Sequence, residues 1–413
     1  MKFKVNTRDL VNALDVVGIV PPQQVNQQGG TGYLLVVRGE RCYVYSRDKE
    51  HVARAEFPIF EVEGEGAFIY PADYVSSFRL AGETCAFETK EEGDQYIVKY
   101  VGSSGATSER PSFNPKFMNP FDRDLEAAKD SSVFSAAMLR EAISICRPFL
   151  GKAQDTKVED HNKLLQIFDK TNPLWAKGDG YMYATTGVQI GFFYCEAFVG
   201  KSLEIHGAHL PLLTAFLSKC DGDVTIKKGE NHTFVIDQES RVFGWVHHKG
   251  SHGKFSYYTL KFDTYVLAID KGSLIDALRY TRGELKKDHD KIKVIYDHTD
   301  TTIRFSITDG SKTDSFRVPV RVVEPVEGEE RKSLATTQGF SFNVNIDHFM
   351  EMADTAGKQV ELRVYPFTPP GRNKETALFR TVDDFRMNLN GKVVVEPEGS
   401  FRCRATRFMP AKD

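Results

Sequence analysis

The 413-residue sequence has no Cys-x-x-Cys pair, no apolar run approaching 18 residues and no Gly-rich loop ending in Gly-Lys-Ser/Thr. The six cysteines are Cys42, Cys85, Cys146, Cys195, Cys220 and Cys403. Most sit in apolar stretches and read as small core residues in a reducing compartment, with a disulfide set as the alternative. The lack of a long apolar run excludes an ordinary membrane-spanning helix. Met1–Asn6 lacks the apolar stretch of a signal peptide, so a cytoplasmic protein is expected. Gly102-Ser103-Ser104-Gly105 reads as a hairpin turn, not a phosphate loop. No Gly-x-Ser-x-Gly elbow is present. His247, His248 and His252 lie at a break in the pattern, without cysteine or carboxylate at ligand spacing. Neither a metal nor a cofactor is expected, and a hydrolase built on those histidines is the competing enzymatic reading. Net charge is −3, from 54 basic and 57 acidic side chains, which excludes an overall positive coat but not local basic patches.

What the sequence does contain is a repeat. Leu10-Val11-Asn12-Ala13-Leu14, Leu139-Arg140-Glu141-Ala142-Ile143 and Leu274-Ile275-Asp276-Ala277-Leu278 recur at about one domain length. Each opens an amphipathic helix, with Thr7, Ser135 and Asp270 as expected N-caps. In the second copy Met138, Ala142, Ile145 and Phe149 form one apolar stripe of helical period. A second helix is expected in each third, at Ala72–Ala81, Ala208–Lys219 and Ile346–Ala356. A hairpin follows each: Cys85–Thr89 with Tyr96–Val101, Val224–Lys227 with Thr233–Asp237, and Val360–Tyr365 with Ala377–Thr381. The fold class is therefore α+β, with three tandem domains that each combine antiparallel sheet with two helices.

The joins are legible in composition. Ser108–Asp130, with Pro111, Pro115 and Pro120, reads as a linker, and His247–Lys254 as a second break. Glu324–Gln338 reads as a charged surface loop. The expected domains are 1–120, 131–250 and 260–413.

At this point the chain resembles the bacterial DNA sliding clamp, the beta subunit of DNA polymerase III. The resemblance is carried by the tandem layout, the opening Met1-Lys2-Phe3-Lys4-Val5, the segment Gly180-Tyr181-Met182-Tyr183-Ala184-Thr185-Thr186-Gly187 and the closing Phe408-Met409-Pro410. Val188-Gln189 stands where the family has His-Arg, and the tail Ala411-Lys412-Asp413 is more polar than the family's. These departures point to a divergent clamp, with phage origin as one reading.

The resemblance implies a non-enzymatic processivity factor. Two copies would form a homodimeric ring whose helices line a central hole around duplex DNA, without sequence preference. Arg8, Arg79, Arg140, Arg147, Lys152, His209, Lys219, Arg279, Arg282, Lys286 and Lys287 are the expected DNA-facing groups. A single Arg or Lys on a polar helix face ordinarily serves solubility. Asp9 and Asp15 dilute the positive charge of the first helix. The replicative polymerase and the clamp loader would insert short peptides into an apolar pocket. Its expected members are Thr186, Gly187, Val188, Ile190, Phe408, Met409 and Pro410. Ring closure is expected at Tyr96–Val101 and Ile292–Tyr296. The alternative is a clamp-fold scaffold that binds proteins and does not encircle DNA.

Overall fold

The apolar spacing yields the expected first helices in a computed structural model. It describes residues 1–22, 24, 30–92, 95–151, 163–167, 180–185, 189–247, 265–285, 290–309, 312–322, 339–354, 359–366, 385–390, 394–395 and 401–408. The α-helices among them are α1 (Thr7–Val17), α2 (Asp122–Ala127), α3 (Ala136–Cys146), α4 (Leu210–Leu217), α5 (Lys271–Glu284) and α6 (Ile346–Asp354). Two of the three expected caps hold. Ser135 Oγ accepts from the Met138 N–H at 3.4 Å, and Asp270 Oδ1 accepts from the Ser273 N–H at 2.8 Å. These bonds to Ser273 hold the Asp270 carboxyl below its ordinary range. At α1 the cap position is Asn6, and Thr7 is the first helical residue. The Thr7 N–H donates to the Glu83 carbonyl at 2.9 Å, so a backbone partner replaces the hydroxyl cap.

The second helices also form, with one change of type. Ala72–Leu80 is a 3₁₀ helix that buries only Phe78. Ser77 Oγ donates to the Tyr74 carbonyl at 2.6 Å, a local competition that disfavours regular α-helix. In the middle third a 3₁₀ turn, Gly207–His209, leads into α4, whose Pro211 occupies the first turn.

The strands repeat one plan three times. In the first third Gly66–Pro71, Gly32–Arg38, Arg41–Arg47 and His51–Pro58 lie side by side in that order. The middle third repeats it with Leu203–His206, Leu164–Ile167, Tyr181–Thr185 and Gln189–Cys195. The last third has Phe340–Asn345, Lys291–Asp297, Thr302–Asp309 and Lys312–Pro319. A second row also recurs. It is Lys2–Asn6, Thr84–Glu92, Gln95–Gly102 and Thr107–Ser112; then Lys129–Ser135, Asp223–Lys228, His232–Ile236 and Val242–Val246; then Tyr265–Asp270, Gln359–Pro366, Phe385–Asn390 and Phe401–Phe408. Two of the expected hairpins are thus present. The third begins at Gln359–Pro366, and its expected partner Ala377–Thr381 lies outside the described residues.

The rows fuse across the thirds. Val242–Val246 pairs antiparallel with His51–Pro58, making an eight-stranded sheet. Phe401–Phe408 pairs antiparallel with Gln189–Cys195, making a ten-stranded one. The chain accordingly divides into two compact units, Met1–Glu141 with Ala208–Lys249, and Ala142–Gly207 with Gly250–Asp413. At the first junction Gly244 faces Val52, and a Cβ there would come within 2.7 Å of the Phe234 ring and 2.9 Å of Val52. Only glycine permits that approach.

The proline-rich segment read as a linker is packed structure. It holds the strand Thr107–Ser112 and helix α2, and it buries Met118, Phe121, Leu125 and Ala128 with Leu34, Tyr45, Val52, Phe234 and Val242. Asp122, at the start of α2, anchors it. Its carboxylate accepts from the Tyr45 hydroxyl at 2.8 Å and pairs with Arg54 at 3.1 Å and Arg38 at 3.2 Å. The period was invisible because the helix is only six residues long.

The expected closing strands are not edges. Gln95–Gly102 is hydrogen-bonded on both sides, by Thr84–Glu92 and Thr107–Ser112. Lys291–Asp297 is likewise enclosed, by Thr302–Asp309 and Phe340–Asn345. Their backbone groups are already used, so neither can accept another chain. Alternating apolar residues mark a strand but do not reveal its place in a sheet.

Cys42, Cys85, Cys146, Cys195 and Cys220 are buried free thiols, as their apolar neighbours imply. Burial pushes the Cys85 thiol up to about 11 and the Cys220 thiol up to about 12. At pH 8 these five should react with an aromatic disulfide reagent only after denaturation. Asp122→Ala leaves two guanidinium groups without their carboxylate. It should cost on the order of 3 kcal/mol in a urea unfolding curve.

Candidate DNA interface and partner pocket

Helix α3 buries Met138, Leu139, Ala142, Ile143, Ile145 and Cys146, which leaves Arg140, Ser144 and Arg147 exposed along one line. Neither arginine has an ion pair among the described residues. Lys219, just past α4, is also exposed, and its carbonyl accepts from Arg241 Nη2 at 2.8 Å. Arg140, Arg147 and Lys219 are thus exposed cations of the middle third, with the exposed Asp221 and Asp223 close to Lys219 in the chain.

The other thirds are more balanced. Arg8 on α1 is exposed, but Arg79 pairs with Asp15 at 3.3 Å. On α5 Arg279 is exposed, whereas Arg282 is half-buried and pairs with Asp347 of α6 at 2.9 Å. The exposed residues of α6 include Asp347, Glu351 and Asp354, and Asp354 pairs with Lys271 at 3.4 Å. Lys152, Lys286 and Lys287 lie outside the described residues.

His209 does not belong with these groups. It is fully buried, stacked on Trp245, with its Nδ1 2.9 Å from Nε2 of His51. The helical reading set it on a polar face, but the 3₁₀ turn before α4 rotates it inward. Its partner His51 was missed, because the two are 158 residues apart and neither belongs to a local motif.

Of the expected pocket, Ile190 and Phe408 are brought together. Gln189 is the register partner of Phe408, and Ile190 that of Arg407. The same strand end, Phe408, also pairs with Met387. Thr186, Gly187, Val188, Met409 and Pro410 lie outside the described residues, but they directly flank these paired positions in the chain. The antiparallel register thus sets the ends of these two strands, with Ile190 and Phe408, side by side on the sheet.

No protein-family model and no curated protein matches the chain in sequence. Solved structures match it along its whole length. A DNA polymerase sliding clamp from Pseudomonas aeruginosa, crystallised with ligand, superposes with a TM-score of 0.71 at 15% identity, covering 100% of both chains. The pol III beta of Caulobacter crescentus gives 0.71 at 12% identity, again over 100% of both. The DNA polymerase III beta subunit of Thermotoga maritima gives 0.64 at 12% identity, covering 100% of this chain and 99% of that one. Over its full length the chain has the fold of the DNA polymerase III beta sliding clamps.

Proposed function

We propose that the chain is a DNA sliding clamp, a non-enzymatic processivity factor of three domains, 1–120, 131–250 and 260–413. The observation that carries this reading is the threefold strand plan, fused at two junctions by the same rule, in a chain that matches clamps from end to end. Replicative polymerase and clamp loader are the proposed partners, docking by short peptides where Gln189–Ile190 meets Arg407–Phe408.

The repeat also proposes how the ring closes. At each internal junction the last strand of one third pairs with the fourth strand of the plan in the third before it. Two strands are left without that partner: Thr107–Ser112 and Lys312–Pro319. Each is the edge of its sheet among the described residues. Pairing them between two copies, twice, closes a head-to-tail dimer by the rule used inside the chain. Pro111 sits on the first of these, where proline is tolerated because an edge strand need not satisfy every ladder bond.

Contact with DNA is proposed to centre on Arg140, Arg147 and Lys219. Encirclement supplies retention, so weak phosphate contacts suffice and permit sliding. A scaffold that binds proteins without encircling DNA is favoured by one observation, the acidic exposed face of α6. The two readings separate on nicked circular DNA loaded with the cognate loader. A clamp stays bound through a salt wash and is lost when the circle is linearised. A scaffold is not retained on either.

Charge substitution tests the interface. Arg140→Ala with Arg147→Ala should weaken duplex binding evenly across sequences. It should also reduce the slope of log affinity against log salt by about 0.9 for each phosphate no longer neutralised. An unchanged slope would remove this face from the interface.

A further inference from the structure

Outside the clamp surfaces, the first junction contains a cluster with no role in the function above. His51 opens the strand His51–Pro58 directly opposite Trp245, and the turn before it supplies Asp48 and Glu50. His209 enters from the 3₁₀ turn before α4. His51 Nε2 and His209 Nδ1 are 2.9 Å apart, and Glu50, His51 and His209 each place a possible ligand atom within 4.8 Å of the other two. The imidazoles are buried, His51 on Phe243 and His209 on Trp245, while Glu50 is exposed.

We propose that Glu50, His51 and His209 form a structural site for a zinc-type divalent cation. Two imidazole nitrogens and one carboxylate match the ligand chemistry of tetrahedral zinc, with solvent as the fourth ligand. Ligands about 2.0–2.2 Å from a tetrahedral ion stand about 3.4 Å from one another. The imidazoles need separate by only roughly half an ångström, and the exposed Glu50 side chain can swing in.

Asp48 completes the arrangement. Its carboxylate lies 3.1 and 3.2 Å from His51 Nδ1 and accepts the Glu50 and His51 N–H groups at 2.7 and 2.6 Å. A proton held on Nδ1 toward Asp48 turns the lone pair of Nε2 toward His209. This is the outer-shell carboxylate that orients metal-bound histidines. Hard cations such as magnesium favour all-oxygen ligands and would not select this site.

The ion would cross-link His51 of the first third to His209 of the middle third, beside the pairing of His51–Pro58 with Val242–Val246. Closing so long a loop is where a metal clip stabilises most.

The test uses the untagged full chain, stripped with chelator and dialysed against zinc chloride or magnesium chloride. One zinc per chain and no magnesium is expected, and cobalt should give the visible absorption of a tetrahedral site. Asp48→Asn should weaken zinc binding about 10- to 100-fold. Glu50→Gln should weaken it too, and as an exposed change it leaves the fold intact. His209→Gln should abolish binding, but the two milder variants carry the test if that protein does not fold. Failure to bind stoichiometric zinc overturns the proposal. So does zinc binding that is unchanged in both Asp48→Asn and Glu50→Gln, because the ion would then sit elsewhere, for example on His232 or His247.

Discussion

Pairing of the last strand of one third with a strand of the third before it is the constraint on which the rest of this structure depends. Val242–Val246 on His51–Pro58, and Phe401–Phe408 on Gln189–Cys195, convert four rows of strands into two large sheets. Backbone hydrogen bonds carry the connection, so it tolerates wide change in side chains. That tolerance fits a chain that keeps a full-length clamp fold at 12–15% identity. Side chains matter where the sheets come closest, as at Gly244, and where the connecting segment is fastened, as at Asp122.

The same constraint places the candidate sites. Docking of Phe401–Phe408 sets Phe408 beside Gln189 and Arg407 beside Ile190. Docking of Val242–Val246 sets Trp245 opposite His51 and brings the two histidines together. The helices contribute charge with less symmetry: α3 exposes Arg140, with Arg147 just beyond its end, whereas Asp347 and Asp354 pair with cations in the last third.

Much of this was legible in the sequence. The three first helices follow from local apolar spacing, and two hairpins follow from alternation around short polar turns. The antiparallel α+β class and the triplication rest on the same local signals. What was illegible is non-local. Nothing in Tyr96–Val101 reveals that it has neighbours on both sides, because alternation reports only which face is buried. Ser108–Asp130 looked like a linker because its prolines mask a short helix fastened by long-range ion pairs. His209 looked exposed because the turn type before α4 depends on Pro211 and the packing beneath it.

The register of the second junction has a consequence for synthesis on the ribosome. Gln189–Cys195 emerges long before its partner, since Phe401 lies 206 residues beyond Cys195. At ordinary elongation rates of about 5–20 residues per second, the open ladder of that strand waits about 10–40 s. An uncapped edge of that kind recruits foreign strands. Nascent copies crowded on one messenger would therefore be at risk of pairing with one another, and a holdase that shields the middle third during translation would raise the yield of correctly closed chains.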